Sequence, residues 1–177
     1  MNTENALIVE GVRRFRGALH SFNLRWISFG SPSAIVTSMA LIVGLGAATA
    51  AKATVLASLL IIGIADNLSD SLSIQIYQES ERMKQRRAFS STAANYAARF
   101  AITGSFIILL LILPTRAVVY ACIAWGGFLL SGLSYLLAKA RHVGALSDIG
   151  KHLGVAAVVI FLSNAIGLLI RSFAVSP

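Results

Sequence analysis

Residues 30–76 read GSPSAIVTSMALIVGLGAATAAKATVLASLLIIGIADNLSDSLSIQI. Two apolar runs lie here, at about 30–51 and 54–76, and each approaches the roughly 20 residues with which an α-helix crosses a bilayer core. Lys52 stands at the junction between them. Backbone polar groups cannot stay unpaired in lipid, so both runs are predicted to be helices rather than strands. The stretch therefore predicts a hairpin of two membrane-spanning helices.

The rest of the chain extends this pattern. Three more apolar stretches follow, at about 93–113, 117–138 and 153–170. Of the 177 residues, 56% are hydrophobic and only 12% are charged, against about a quarter in soluble domains. The predicted fold class is an all-α integral membrane protein with five transmembrane helices, in one membrane domain at 30–177. This leaves no room for a soluble catalytic domain, and no hydrolase or nucleotide-binding motif appears, so neither an enzyme nor an ATP-driven pump is expected.

Basic residues between the spans predict the orientation. Lys and Arg concentrate in cytoplasmic loops, and a cytoplasmic N-terminus places twelve basic residues inside and three outside. The inner group is counted as Arg13, Arg14, Arg16, Arg25, Arg82, Lys84, Arg86, Arg87, Arg99, Lys139, Arg141 and Lys151, and the outer group as Lys52, Arg116 and Arg171. The predicted topology is N-in, C-out. The same distribution explains the net charge of +8 through lipid headgroups, so no nucleic-acid partner is expected.

The N-terminal segment, residues 1–29, has an amphipathic pattern of its own. It lacks the basic start and cleavage site of a secretory signal, so we expect the first span to be retained. One apolar stripe at helical spacing runs through Ile8, Val12, Phe15, Leu19, Phe22 and Trp26. The pattern predicts either a helix lying along the cytoplasmic interface or a cytoplasmic helix packed on the loop between the second and third spans.

The second span carries a polar face. Asp66 and Asp70 are four residues apart and share one side of the helix, a side that Ser69, Ser73 and Tyr77 continue. This span is predicted to hold the only charged residues at membrane depth. An intramembrane carboxylate costs at least about 2.5–3.5 kcal/mol on insertion scales, and hard cations prefer carboxylate oxygens. The face therefore predicts a cation or proton pathway, or else carboxylates paired with other helices through Asn164, Ser163 or a basic residue.

The other polar and small residues are less specific. Glu79 and Glu81 end the same helix, as a cation entry site or as partners of nearby arginines. His20, His142 and His152 lack metal-ligand spacing and are taken as interfacial, and the lone Cys122 as a small hydrophobe. Small residues let membrane helices approach closely, and the glycines expected to do so are Gly44 and Gly46 in the first span and Gly126, Gly127 and Gly132 in the fourth.

The order of these features resembles the vacuolar iron transporter family, which exports iron and manganese. Residues 30–47 resemble its first span, where an Asp-Gly pair precedes a hydrophobic run that ends in small residues. The second span, with Ser69 and the closing Ser80-Glu81, resembles the family span that ends in Ser-Glu. The resemblance implies a homodimer with its pathway between protomers, formed by the first two spans.

The chain departs from that family at several ligand positions. The Asp-Gly pair falls on Ser33-Ala34, the metal-binding Met on Asp70 and a Gly on Asp66. The Glu-rich cytoplasmic domain between the second and third spans is replaced by about fifteen Arg-rich residues.

These observations define a functional hypothesis. The chain is expected to move a divalent cation such as Fe²⁺ or Mn²⁺ out of the cytoplasm in exchange for protons, through an inner or vacuolar-type membrane, with no cofactor. The expected metal ligands are Asp66, Asp70, Ser69, Ser73, Ser33 and Glu81. The alternatives are a non-transporting membrane scaffold or partner subunit, and a transporter of another solute.

Overall fold

A computed structural model describes residues 30–49, 51–80 and 85–174 of the chain. This part of the chain is all-α. Its five helices are α1 (Ser31–Thr49), α2 (Lys52–Ser80), α3 (Gln85–Ile112), α4 (Thr115–Ala140) and α5 (Ala145–Ala174).

Each predicted span coincides with one of these helices, and all five are long and apolar enough to cross a membrane. The prediction of a multi-pass, all-helical membrane protein is therefore confirmed in its architecture. α2, α3 and α5 extend beyond their apolar stretches, because a helix continues past the hydrocarbon wherever its sequence permits. The predicted amphipathic helix at 1–29 lies outside the described residues, and the N-in, C-out topology stays a prediction.

α1 is the central helix and contacts all four others, most extensively α5. The contact with α5 depends on two facing glycines. A Cβ on Gly167 would overlap the carbonyl oxygen of Gly44 and lie 2.9 Å from the Cβ of Ala47. Gly44 thus provides the predicted close approach, and it does so toward a helix of its own chain.

The other glycines that were expected to mediate close packing differ in what an added Cβ atom would contact. A Cβ on Gly126 would overlap the side chain of Met39, so this residue lets α4 approach α1. A Cβ on Gly46 would meet only Val119, at an ordinary 3.8 Å, and Gly127 and Gly132 have nothing within 4 Å. Within the chain the prediction is confirmed for Gly44 and Gly126, whereas Gly46, Gly127 and Gly132 bring no two described helices close together, because spacing along one helix does not show which turns face a neighbour.

Along α2 and α3 the buried side chains change character midway. Near the α1–α2 junction the core is apolar and includes Leu59, Phe106 and Leu110. Farther toward the loop between α2 and α3, the buried residues are Asn67, Ser71, Asn95, Arg99 and Thr103. The bundle therefore has an apolar half and a half with a polar interior.

Both ends of the bundle have defined caps. At the apolar end, the Lys52 ammonium donates to the carbonyl oxygens of Leu111 (3.2 Å) and Leu113 (3.0 Å), which suits a cation at the C-terminus of α3. At the other end, α4 closes with His142 in the left-handed conformation (φ 55°). The Val143 amide there donates to the Ala138 carbonyl, in the pattern of a Schellman cap.

Candidate functional site

The centre of the polar half is Arg99. It lies on α3, inside the membrane-spanning segment Thr92–Ile112, and its side chain is fully buried. A guanidinium remains charged in proteins, and a buried charge is tolerated only when it is paired and hydrogen-bonded. The partners of Arg99 therefore define the site.

Those partners come from two other helices. Nη2 forms an ion pair with Oδ2 of Asp66 at 3.0 Å, and Nη1 forms one with Oδ2 of Asp70 at 2.6 Å. Nε donates to Oδ1 of Asn67 at 2.8 Å. Nη1 also donates to the carbonyl oxygen of Gly30, just before α1, at 2.7 Å. One side chain on α3 thereby joins α1 and α2.

The local sequence explains how α2 supplies three of these partners. Asp66 and Asp70 are one turn apart and share a face of the helix. Asn67 is neighbour to Asp66 but lies on the buried stripe, and it is 1% exposed. The planar guanidinium of Arg99 has five N–H donors that point in different directions. It therefore bonds Asn67 on the buried stripe of α2 and both aspartates on the neighbouring face at the same time.

Glycine at position 30 provides the space for the arginine. A Cβ there would lie 2.6 Å from Nη1 and 2.9 Å from Cδ of Arg99, and 3.0 Å from Oδ1 of Asn95. Any larger residue would push the guanidinium off its carboxylates. The same absence of a side chain leaves the Gly30 carbonyl free to approach the arginine.

The charges of this cluster do not balance. By formal charge, two carboxylates against one guanidinium sum to −1 within the candidate membrane spans. The side chains of Asp66 and Asp70 are each 40% exposed, whereas Arg99 is enclosed. The surplus negative charge therefore lies on the accessible side of the cluster.

A small cavity with both polar and apolar lining residues adjoins Asp66. It has a volume of about 10 Å³, enough for about one water molecule. Its polar lining includes Thr37, Ser38, Asp66, Asn67 and Thr103. The cavity is bounded toward the apolar half of the bundle by aliphatic side chains, Leu41, Leu59 and Ile62.

Arg99 corrects two expectations. It was counted among the loop residues, yet it lies inside the third span, which leaves eleven basic residues in the predicted inner group instead of twelve. The second span was predicted to hold the only charged residues at membrane depth, and this was wrong for the same reason. A single arginine in an apolar run gives no sign of burial until its carboxylate partners are placed beside it.

The partners proposed for the aspartates were partly wrong. A basic side chain does pair with both of them, but neither Asn164 nor Ser163 does. Ser163 lines an apolar groove of about 310 Å³ between α1 and α5, and Asn164 is exposed.

The other predicted ligands do not join the carboxylates. Ser33 and Ser69 are exposed, and the Ser73 hydroxyl donates to the backbone carbonyl of Ser69 at 3.0 Å. Glu81 lies outside the described residues, while Glu79 accepts a hydrogen bond from Gln75. Among the described residues no group of three or more His, Cys, Asp or Glu side chains is placed to hold a metal ion.

A separate polar pair links α4 to α5 near their connecting loop. The Ser134 hydroxyl donates to the Leu130 carbonyl at 2.7 Å, and Nδ1 of His152 lies 2.8 Å from the hydroxyl oxygen of Ser134. Arg141 and Asp148 form an ion pair beside it. These residues join two helix ends and belong to no carboxylate cluster.

Sequence reasoning missed Arg99, Asn67 and Asn95. A signal was present in the sequence, because Asn95, Arg99 and Thr103 recur every four residues along a run otherwise rich in Ala and Phe. This spacing places the three polar side chains on one face of a membrane helix.

Comparison with protein-family models, curated proteins and solved structures finds no match. The resemblance noted in the first two spans therefore remains one of sequence pattern alone, and function must be argued from the cluster around Arg99.

Proposed function

We propose that this chain is a membrane transporter that moves a divalent cation, of the Fe²⁺ or Mn²⁺ type, out of the cytoplasm in exchange for protons. The observation that carries the proposal is the charge surplus at membrane depth: two carboxylates for one buried guanidinium. A neutral structural pair needs only one carboxylate. The second is stable at that depth only where it meets water, a proton or a cation.

The exposure of the carboxylates supports the same function. Asp66 and Asp70 bond Arg99 through one oxygen each, both Oδ2, so each keeps an oxygen with which to meet an ion. Hard divalent cations prefer such oxygen ligands. The choice of iron or manganese rests on the resemblance of the first two spans.

Arg99 then acts as the internal competitor of the cation. With the guanidinium on both carboxylates, the cluster is in its cation-free state, since a divalent ion beside an arginine meets like charge. Cation binding releases Arg99 from at least one aspartate, and protonation of the carboxylates expels the cation. A rearrangement of the helices around this cluster would then open the site to one side of the membrane and to the other in turn.

A homodimer with its pathway between protomers is part of this proposal. It would bring two copies of the Asp66–Asp70 pair together around one axis. The exposed side of the cluster is compatible with that arrangement, whereas Gly44 already packs against α5 of its own chain.

The test is metal and proton flux in proteoliposomes that contain a metal-sensitive and a pH-sensitive dye. We expect Asp66→Asn with Asp70→Asn to reduce Mn²⁺ flux at least about tenfold, since losing even an outer partner of a metal site has that effect. Asp148→Asn is the control for removing an aspartate from an arginine pair outside the cluster, and its flux should equal that of the wild type. Because the double variant leaves Arg99 without a carboxylate, flux is compared per amount of folded protein. Undiminished, proton-independent flux in the double variant would contradict the proposal.

A second function is favoured by the arginine network itself. Arg99 bonds α1 and α2 simultaneously, as expected of a rigid membrane scaffold or partner subunit. In that case the wild type would move neither metal nor protons, and the double variant would lower only the melting temperature.

A further inference from the structure

Beside the Arg99 cluster, α2 and α3 bury polar atoms that have no hydrogen-bond partner within the described residues. These atoms are Nδ2 of Asn67, Oγ of Ser71, Oγ1 of Thr92, and both Nδ2 and Oδ1 of Asn95. Asn95 is fully buried, and Asn67 and Ser71 are 1% and 5% exposed. Buried polar groups in proteins are almost always bonded, to protein or to ordered water.

The antiparallel packing of α2 and α3 has a register that can be read from two contacts. A Cβ on Gly63 would lie 2.9 Å from Cγ2 of Thr103, and Asn67 bonds Arg99. Four residues forward on α2 correspond to four residues backward on α3. Both steps equal about one helical turn, so the pairing repeats along one seam.

The next step of this register places Ser71 opposite Asn95. Thr92 precedes Asn95 by about one turn, so it lies closer to the loop between α2 and α3 and on the same face of α3. The register therefore places these residues in succession, from Asn67 at the arginine cluster toward the loop between α2 and α3. We call Asn67, Ser71, Thr92 and Asn95 the polar seam.

We propose that the polar seam is hydrated and conducts protons between that loop and the carboxylates of Asp66 and Asp70. Each unpartnered donor and acceptor is satisfied by a water molecule, which typically bonds two to four buried polar groups. The proton moves along hydrogen-bonded waters and hydroxyls and binds a carboxylate oxygen. No bond other than O–H forms or breaks, and the proton is returned when the carboxylate ionises.

At the end away from this loop, the polar seam stops at the Arg99 cluster. Beyond the cavity at Asp66 the interior is closed by apolar side chains, including Leu41 and Leu59. Among the described residues, the polar seam therefore leads from the cluster toward the loop between α2 and α3, which in the predicted topology is on the cytoplasmic side. An exchanger needs such an arrangement, with a polar route on one side of the cluster and an apolar interior on the other, to prevent a proton leak. The proposal rests on the proposed transport function for its role, but not for its hydration.

Hydration is tested without any transport measurement. Single cysteines are introduced as Ser71→Cys or Asn95→Cys into a Cys122→Ala background, and the folded protein in liposomes is exposed to Ag⁺, a small thiol-reactive cation. Maleimide labelling after unfolding then reports the thiols that Ag⁺ did not block. The unmodified protein is the matched control, since its only cysteine, Cys122, is fully buried in the apolar core.

We expect loss of labelling at positions 71 and 95 while Cys122 of the unmodified protein stays fully labelled. Labelling that is retained equally at all three positions would overturn the proposal, because it would mean that the seam is dry. Each variant is required to keep the melting temperature of the parent to within the error of the measurement, and Thr92→Cys replaces any variant that does not.

The conducting role has its own measurement. Ser71→Ala with Asn95→Leu removes the polar atoms at the middle of the seam with side chains of similar shape, and leaves Asn67, Asp66, Asp70 and Arg99 in place. We expect loss of proton-coupled flux with no loss of stability, since removing unpaired buried groups is neutral or favourable. Full coupled flux would overturn the conducting role. A hydrated seam in a wild-type protein that moves no metal would instead count against the transport function alone.

Discussion

The decisive side chain is Arg99, because it is enclosed and its charge is balanced only by side chains from another helix. Two carboxylates, one amide oxygen and one backbone carbonyl surround it. Breaking a buried ion pair by removing one partner costs roughly 3–5 kcal/mol, because the remaining charge stays uncompensated. The arginine and the aspartates are therefore interdependent.

This interdependence predicts a pattern of damage and rescue. Arg99→Met leaves two carboxylates facing each other in the membrane and should destabilise the fold by about 3–5 kcal/mol. Adding Asp66→Asn and Asp70→Asn to Arg99→Met should restore much of that loss, since no unpaired charge then remains. Thermal unfolding in detergent measures both effects.

Asp148→Asn offers the comparison for that series. It removes the carboxylate of an ion pair whose arginine is 56% exposed, and such pairs contribute only about 0–1 kcal/mol. A triple variant no more stable than Arg99→Met would show that the network is not held together by its charges.

Among the helices, α1 organises the packing, and the contact between α1 and α5 depends on backbone proximity. Gly44 and Gly167 face each other, so the two helices approach more closely than any side chain would permit. In a membrane, where the hydrophobic effect does not drive helices together, such close packing is a main source of association.

A single methyl group at this contact should have a large effect. Gly167→Ala places its Cβ against the Gly44 carbonyl, which must move α5 away from α1, and overpacking of this kind costs about 1–3 kcal/mol. Gly154→Ala lies on the same helix with nothing within 4 Å and should be neutral or slightly stabilising, because alanine favours helix. Melting temperatures of the two variants give the comparison.

The opposite result would contradict the packing of α5. Equal melting temperatures for Gly167→Ala and Gly154→Ala would mean that α5 is not held against α1 through Gly44.

Across the chain, the distribution of charge predicts orientation. With Arg99 inside the bundle, eleven basic residues remain in the predicted inner group and three in the outer, so the asymmetry on which the N-in topology rests is nearly unchanged. The direction of transport in the proposed function depends on it.

The orientation can be measured directly in whole cells. On a Cys122→Ala background, Gly144→Cys in the loop between α4 and α5 should be protected from a membrane-impermeant maleimide. Ala51→Cys, at the α1–α2 junction, should react. Both residues are exposed, so accessibility to the reagent differs only by side. Reaction at 144 with protection at 51 would reverse the topology.

The sequence alone determined the class of architecture and the approximate position of every helix. Five apolar runs of sufficient length can pair their backbone groups in lipid only as helices, so the solvent imposes this result without any tertiary information. It also identified Asp66 and Asp70 as unusual, because the free-energy cost of a carboxylate at membrane depth depends only on the residue type and its position along the span.

Only the tertiary structure decided what those aspartates contact. The pairing of Arg99 with residues about thirty positions earlier on α2 depends on the register of two antiparallel helices, and that register is set by where small residues such as Gly63 let the helices approach. Helical periodicity defines faces but not which faces meet. The expected ligands Ser33, Ser69 and Ser73 share a polar character with the aspartates, yet the packing leaves them apart from the cluster, and it brings in Arg99, Asn67 and Gly30 instead.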